Sequence, residues 1–230
     1  MYGKYFAWLK KFIAYEKLNY LFDKKKFSKD RKMSFKDFIV YILGNRGKTS
    51  VLELDDFFKN KFKCIGMRKL MRVTKQNFSN RRKYIMAKFF KDVSAAATKE
   101  IYTKKQKSLK KYKGLFLISI DGSETTIPNT PKTREEFDVD LNSLEKIKTP
   151  KARISVMSDA KNEFIIDSLI SPISTGESVL AFKHIETASE LVDLSQSILQ
   201  FDRNYASSEL ILHILLKKGN FIIQTQKWYI

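Results

Sequence analysis

The sequence predicts a two-part α+β / α/β fold, with a helical, strongly basic first region and a mixed sheet flanked by helices in the second. Three observations carry this. Lys and Arg outnumber Asp and Glu by 44 to 25, a net charge of +19, but unevenly: residues 1–113 hold 32 against 9 (+23), and residues 114–230 hold 12 against 16 (−4). Apolar residues of the first region recur at helical spacing, as in Tyr5, Trp8, Leu9, Phe12 and Ile13. At Leu115 the pattern switches to a short, nearly continuous apolar run, Leu115-Phe116-Leu117-Ile118-Ser119-Ile120, the signature of a strand buried on both faces. The boundary between the two regions, 1–113 and 114–230, is expected at Lys113-Gly114.

At 230 residues and 43% hydrophobic content the chain is long enough for one or two domains with real cores. No apolar run approaches the roughly 20 residues of a membrane span, and the lysine-laced N-terminus is no signal peptide. The one cysteine, Cys64, permits no internal disulfide, which agrees with a reducing cytoplasm. His184, His213 and Cys64 make a poor inventory for zinc. A basic region beside a mildly acidic one points to a polyanion partner, with nucleic acid ahead of an anionic membrane surface. A nucleoid-associated cytoplasmic protein is expected.

Within the basic region, segments 2–22 and 34–44 read as amphipathic helices. A turn follows around Asn45-Arg46-Gly47-Lys48, and a helix pair is expected in 50–72. Thr74 is an N-cap for a helix through Phe78, and Ser79 or Asn80 for the next. The polar stretch that follows offers Lys75, Gln76, Arg81 and Arg82 to phosphates or base edges. Segment 98–113 reads as a basic helix stopped by Gly114.

In the second region the first strand ends at Asp121-Gly122, and a loop with Pro128 and Pro131 follows. A hairpin over 152–170, a helix over 177–192, a strand at Ser197–Phe201 ending in Asp202, a helix over 206–217 and a strand from Phe221 complete the order. Crossover connections make the later strands parallel. Asp121 and Asp202 then converge if their strands are neighbours. Two hard carboxylates in one place suit Mg²⁺ or Mn²⁺ and metal-assisted phosphodiester chemistry. Each aspartate also has an ordinary reading, as a hairpin turn or a helix N-cap.

Several motifs resemble the DDE transposases of bacterial insertion sequences, in the fourth such family (the "IS four" group). Thr74-Lys75-Gln76 with Phe78, Ser79 and Arg81 is similar to the upstream helical motif. Ile120-Asp121-Gly122-Ser123 followed by Ile127-Pro128-Asn129-Thr130 is similar to the first-acid motif. Glu177 with His184 resembles a pattern between the acids. Phe201-Asp202-Arg203-Asn204-Tyr205 with Ser207 or Ser208, then Leu210, Leu215, Gly219 and Phe221, is similar to the second-acid motif. The resemblance runs from about residue 70 to the C-terminus.

The resemblance implies an RNase H-like core, with Asp121 and Asp202 as the first two metal ligands and catalytic acids. It implies hydrolysis and strand transfer at transposon ends, by a homodimer on double-stranded DNA. Arg203 joins the expected DNA contacts. Asn204 stands where the family has glycine, and Gln224-Thr225-Gln226-Lys227 where a basic residue is common. The family's third acid lies downstream of the second, so the core is expected to be incomplete and its own cleavage weak. Glu209 reads as solvent-facing and Glu177 stays open. His184 reads as a half-buried structural histidine. Two alternatives stand beside this reading, a DNA-binding remnant without catalysis and another RNase H-like nuclease.

Overall fold

The computed structural model describes residues 12–13, 17–27, 32–44, 47–63, 66, 72–104, 106–137 and 149–224. Most of the expected 2–22 helix lies outside them, as do Asn45, Arg46, Cys64, Lys105, Thr225, Gln226, Lys227 and most of the helix expected after residue 63. The chain divides into two compact units, Met1–Val93 and Ser94–Ile230.

The first unit is built on helices α1 (Phe35–Leu43), α2 (Ser50–Lys61) and α3 (Lys75–Arg82), with the start of α4 (Lys88–Lys104). Ser34 opens α1 with a reciprocal capping box to Asp37. Thr74 caps α3 by accepting from the Asn77 amide, as the sequence suggested. Ser79 and Asn80 start no new helix. They lie inside α3, which runs on to Arg82. Phenylalanines fill the core. Phe38 stacks on Phe78 at 4.9 Å, and Phe27 meets Phe35 and Phe38 edge-on at 5.4 and 5.3 Å. Offset and edge-to-face rings suit the aromatic quadrupole and add to plain area burial.

The second unit carries strands β1 (Phe116–Thr126), β2 (Lys151–Asp159), β3 (Phe164–Pro172), β4 (Ser197–Phe201) and β5 (Asn220–Ile223). Their order in the sheet is β3-β2-β1-β4-β5. The first three pair antiparallel, whereas β4 runs parallel to β1 and β5 parallel to β4. This order and these directions are the RNase H-like mixed sheet. Helices α6 (Glu177–Leu191) and α7 (Ser208–Leu216) make the crossovers into the parallel strands. Phe116, Ile118, Ile120, Leu199 and Phe201 pack with Ala181, Ile185, Leu210 and Ile214 in one core.

Three expectations need correcting. Asp121-Gly122 is not the end of β1. The strand continues to Thr126 because β2 keeps pairing with it as far as Thr126↔Lys151, and Thr125-Thr126 suits a half-exposed strand. The stretch 98–113 is not one helix. The α4 helix stops at Lys104, a 3₁₀ turn covers Gln106–Ser108, and Lys113 and Gly114 both take positive φ (48° and 86°) in a tight turn under the Tyr112↔Leu115 bridge. The loop after β1 contains a short helix, α5 (Pro131–Glu136), which Thr130 caps and Pro131 opens. No helix among the described residues is long and apolar enough to cross a membrane.

Candidate active site

The parallel register decides where the two aspartates stand. The ladder between β1 and β4 runs from Phe116↔Ser197 to Ser119↔Gln200. Ser119 and Gln200 share a face, their side chains in contact at 3.4 Å. One pleat further along each strand come Asp121 and Asp202, side by side on that face and both exposed. Each carboxylate is held only by a nearby backbone amide. Asp121 Oδ1 accepts from Gly122 N at 2.8 Å, and Asp202 Oδ1 from Arg203 N at 2.6 Å, where it caps the 3₁₀ turn Arg203–Tyr205. Asp202 is therefore both a cap and a site acid; the two readings coincide.

Glu177 is the first residue of α6, and it reaches the same place. A Cβ added to Gly122 would lie 3.1 Å from Glu177 Oε1, so glycine is what admits the carboxylate beside Asp121. Two anchors fix α6 against the sheet. At its start, Arg153 Nη1 donates to the Thr175 carbonyl at 2.9 Å, while Nη2 meets Glu124 Oε1 at 3.3 Å. Two turns along the helix, His184 is fully buried, not half-buried as the sequence suggested. Its Nδ1 lies 2.8 Å from Asp167 Oδ2 and its Nε2 3.0 Å from Ser155 Oγ. A buried polar side chain survives only with such partners. The Ser155-His184-Asp167 chain has the spacing of a nucleophilic triad. With all three buried it braces the helix instead.

Tyr205 sits beneath the acids. Its backbone N–H donates to the Asp202 carbonyl at 3.1 Å, and its ring, 1% exposed, leans on Phe201 at 5.6 Å. Burial, with the negative charges of Glu177, Asp121 and Asp202, pushes the phenol up to about 12, and Arg153 pulls the other way. The Tyr205 hydroxyl is buried without a hydrogen-bond partner among the described residues. The second-acid motif includes Tyr205 but gives its hydroxyl no role. Its position three residues after Asp202 was the available signal, since one tight turn returns it to the aspartate.

The donor set suits a hard divalent cation: carboxylate oxygens from neighbouring strands, exposed and, among the described residues, unpaired with any basic side chain. As the side chains stand, no three His, Cys, Asp or Glu among the described residues are grouped to hold a metal ion. Glu209 is exposed on α7, as expected. A cavity lined by Asp37, Tyr41, Glu53, Phe57 and Lys61 belongs to Met1–Val93 and contains none of these acids.

The expected DNA contacts divide. Lys75, Gln76 and Arg82 are exposed on α3, and Arg203 is exposed beside Asp202. Arg81 is turned inward. Its Nη1 donates to the Met33 carbonyl at 2.8 Å, and its guanidinium lies over Phe27 and Phe38 at 4.5 and 4.9 Å. Arg81→Ala is expected to lower the stability of this unit by about 2–3 kcal/mol through the lost hydrogen bond and cation–π contacts. Chemical denaturation checks this; an unchanged midpoint with weakened DNA binding would return Arg81 to the DNA surface.

No protein-family model matches the chain, and no curated protein does. Among solved structures the chain is similar to a piggyBac transposase synaptic complex with hairpin DNA, at 14% identity and a TM-score of 0.35, over 81% of this chain and 38% of that one. It is similar to a pre-cleavage Mos1 transpososome at 10% identity and a TM-score of 0.33, over 84% and 60%. A Mos1 mariner paired-end complex with Mn follows at 11% and 0.32, over 81% and 66%. The chain thus spans about two-fifths to two-thirds of the length of these three.

Proposed function

We propose that this chain carries the acid core of a DDE-type DNA transposase of the "IS four" group, acting on phosphodiester bonds at transposon ends. The observation that supports it most is the placement of Asp121 and Asp202 side by side across β1 and β4. Neighbouring strands hold two carboxylates that repel each other, and no basic side chain among the described residues neutralises them. Such a pair is retained at a cost in stability when a cation is to be bound there. Mg²⁺ or Mn²⁺, when bound, supplies charge stabilisation at the attacking and leaving oxygens of a phosphodiester. Asp121 and Asp202 would hold it. Exposed Arg203 beside Asp202 is suited to steer a DNA phosphate toward the acids.

The partner is double-stranded DNA, both transposon end and target, and the working form is a homodimer on paired ends. Lys75, Gln76 and Arg82 present one polar, basic surface of α3 to the duplex. The excess of 32 basic over 9 acidic residues in 1–113 supplies the sequence-independent attraction, which must fall steeply with salt.

Calorimetric Mn²⁺ titration of the full chain tests the reading, wild type against the Asp121→Asn/Asp202→Asn double variant. The expected result is saturable binding that weakens more than about tenfold in the variant, with duplex DNA binding kept. Equal Mn²⁺ affinity in both proteins would overturn it. Retained DNA binding with no Mn²⁺ binding in the wild type would leave a DNA-binding remnant.

A further inference from the structure

The site acids lack a basic partner among the described residues, in a chain that carries 44 basic residues. Asp121 and Asp202 accept only from neighbouring backbone amides. Arg153, the basic side chain whose charge bears on Tyr205, is engaged by Glu124 and the Thr175 carbonyl. Glu177 makes no side-chain hydrogen bond or ion pair to a described residue, yet it is pressed against Gly122. A solvated glutamate at a helix start gains from the helix dipole wherever it points. It does not need a neighbouring glycine to make room for it. The two anchors of α6, Arg153 to Thr175 ahead of Glu177 and His184 to Ser155 and Asp167 two turns after it, leave the backbone of Glu177 little freedom.

The second observation is independent of the acids themselves. The hydroxyl of Tyr205 is buried, has no partner among the described residues, and lies in the combined field of Glu177, Asp121 and Asp202. An orphaned phenol costs on the order of 1–3 kcal/mol unless a ligand or a water completes it. A hydrated cation among the acids presents such an acceptor: a coordinated carboxylate oxygen or a water.

We propose that Glu177 is the third carboxylate of the cation site, joining Asp121 and Asp202, and that Tyr205 donates its hydroxyl hydrogen bond to the hydrated cation's oxygen shell. The proposal rests on the acid-site reading above and deepens it. The cation class is a hard divalent ion, Mg²⁺ or Mn²⁺. Because no other described side chain holds the three carboxylates, side-chain rotation alone can bring them together. The third acid then precedes Asp202 in the chain and comes from the helix after β3.

The test is Mn²⁺ binding to the full chain, read by calorimetry and by the Mn²⁺ electron-spin resonance signal, with far-UV circular dichroism as the folding control. Glu177→Gln keeps the shape of the side chain and is expected to weaken Mn²⁺ binding about tenfold or more. Its thermal midpoint should be unchanged or raised. Gly122→Ala, which crowds the same carboxylate, is expected to weaken binding in the same direction. Tyr205→Phe keeps the buried ring and is expected to weaken binding about threefold. If Asp121→Asn/Asp202→Asn abolishes binding while Glu177→Gln binds like wild type, the third-acid proposal is overturned and the two-aspartate site stands. If none of the variants alters binding, both fail.

Discussion

His184→Ala is expected to lower the stability of the sheet unit by about 3–5 kcal/mol. The imidazole is fully buried and joins Asp167, on β3, to Ser155, on β2. Removing it strips two hydrogen bonds at once. A carboxylate 6% exposed is left without its partner, and a hydroxyl of a fully buried serine is left with nothing to bond. The penalty for orphaning a charged group exceeds the net worth of the bond that satisfied it. Against a total stability of about 5–15 kcal/mol, the loss is large enough to bring the variant close to unfolding. Urea denaturation followed by circular dichroism measures it, and amide exchange over residues 177–191 locates it. A loss below about 1 kcal/mol would mean that water replaces the imidazole, and that the brace on α6 is weaker than its geometry suggests.

Phe89→Ala carries the second large effect, about 3–5 kcal/mol on the helical unit. Phe89 is fully buried at the start of α4. Its ring contacts Tyr20 at 5.3 Å, Phe35 at 5.5 Å, Phe90 at 5.3 Å and Phe12 at 6.1 Å. Alanine removes the area term and leaves a void that four rings cannot close without leaving their preferred edge-on angles. Phe89→Leu retains most of the volume and is expected to cost only about 1–2 kcal/mol. A Phe89→Leu loss equal to that of Phe89→Ala would show that ring geometry, rather than filled volume, holds this core.

Much of the second unit was legible because its signals are local. The hairpin, α6, β4 and α7 follow from apolar runs and their stops, and β4 falls on Ser197–Phe201 as read. Convergence of Asp121 and Asp202 required one non-local fact, that β1 and β4 are neighbours, and the crossover rule for parallel strands made that the natural arrangement. What stayed hidden depended on contacts across the sheet. The continuation of β1 past Gly122 is dictated by its partner β2, since the Asp-Gly pair on its own favours a turn. The inward turn of Arg81 depends on Phe27 and Phe38, distant in sequence, and an arginine in a polar stretch carries no local mark of burial. The Ser155-His184-Asp167 chain assembles from three elements, and a serine and an aspartate in strands announce nothing alone. Tyr205 was visible as part of a motif; only the fold revealed that its hydroxyl lacks a partner among the described residues.

The register between β1 and β4 has a consequence for the fidelity of the molecule. Ile118↔Leu199 are fully buried, and Phe116 and Ile120 belong to the same inward row. Because side chains alternate along a strand, slipping β4 by one residue would turn Leu199 and Phe201 to the outer face and bury Gln200. The same slip would send Asp202 to the wrong side of the sheet. A chain with misaligned acids is therefore also a chain with a broken core. Misassembly is exposed to unfolding and proteolysis, and it cannot persist as a stable but inert protein. The greasy inner row thereby acts as a proofreader for the polar outer one, and selection for a well-packed interior preserves the acid alignment.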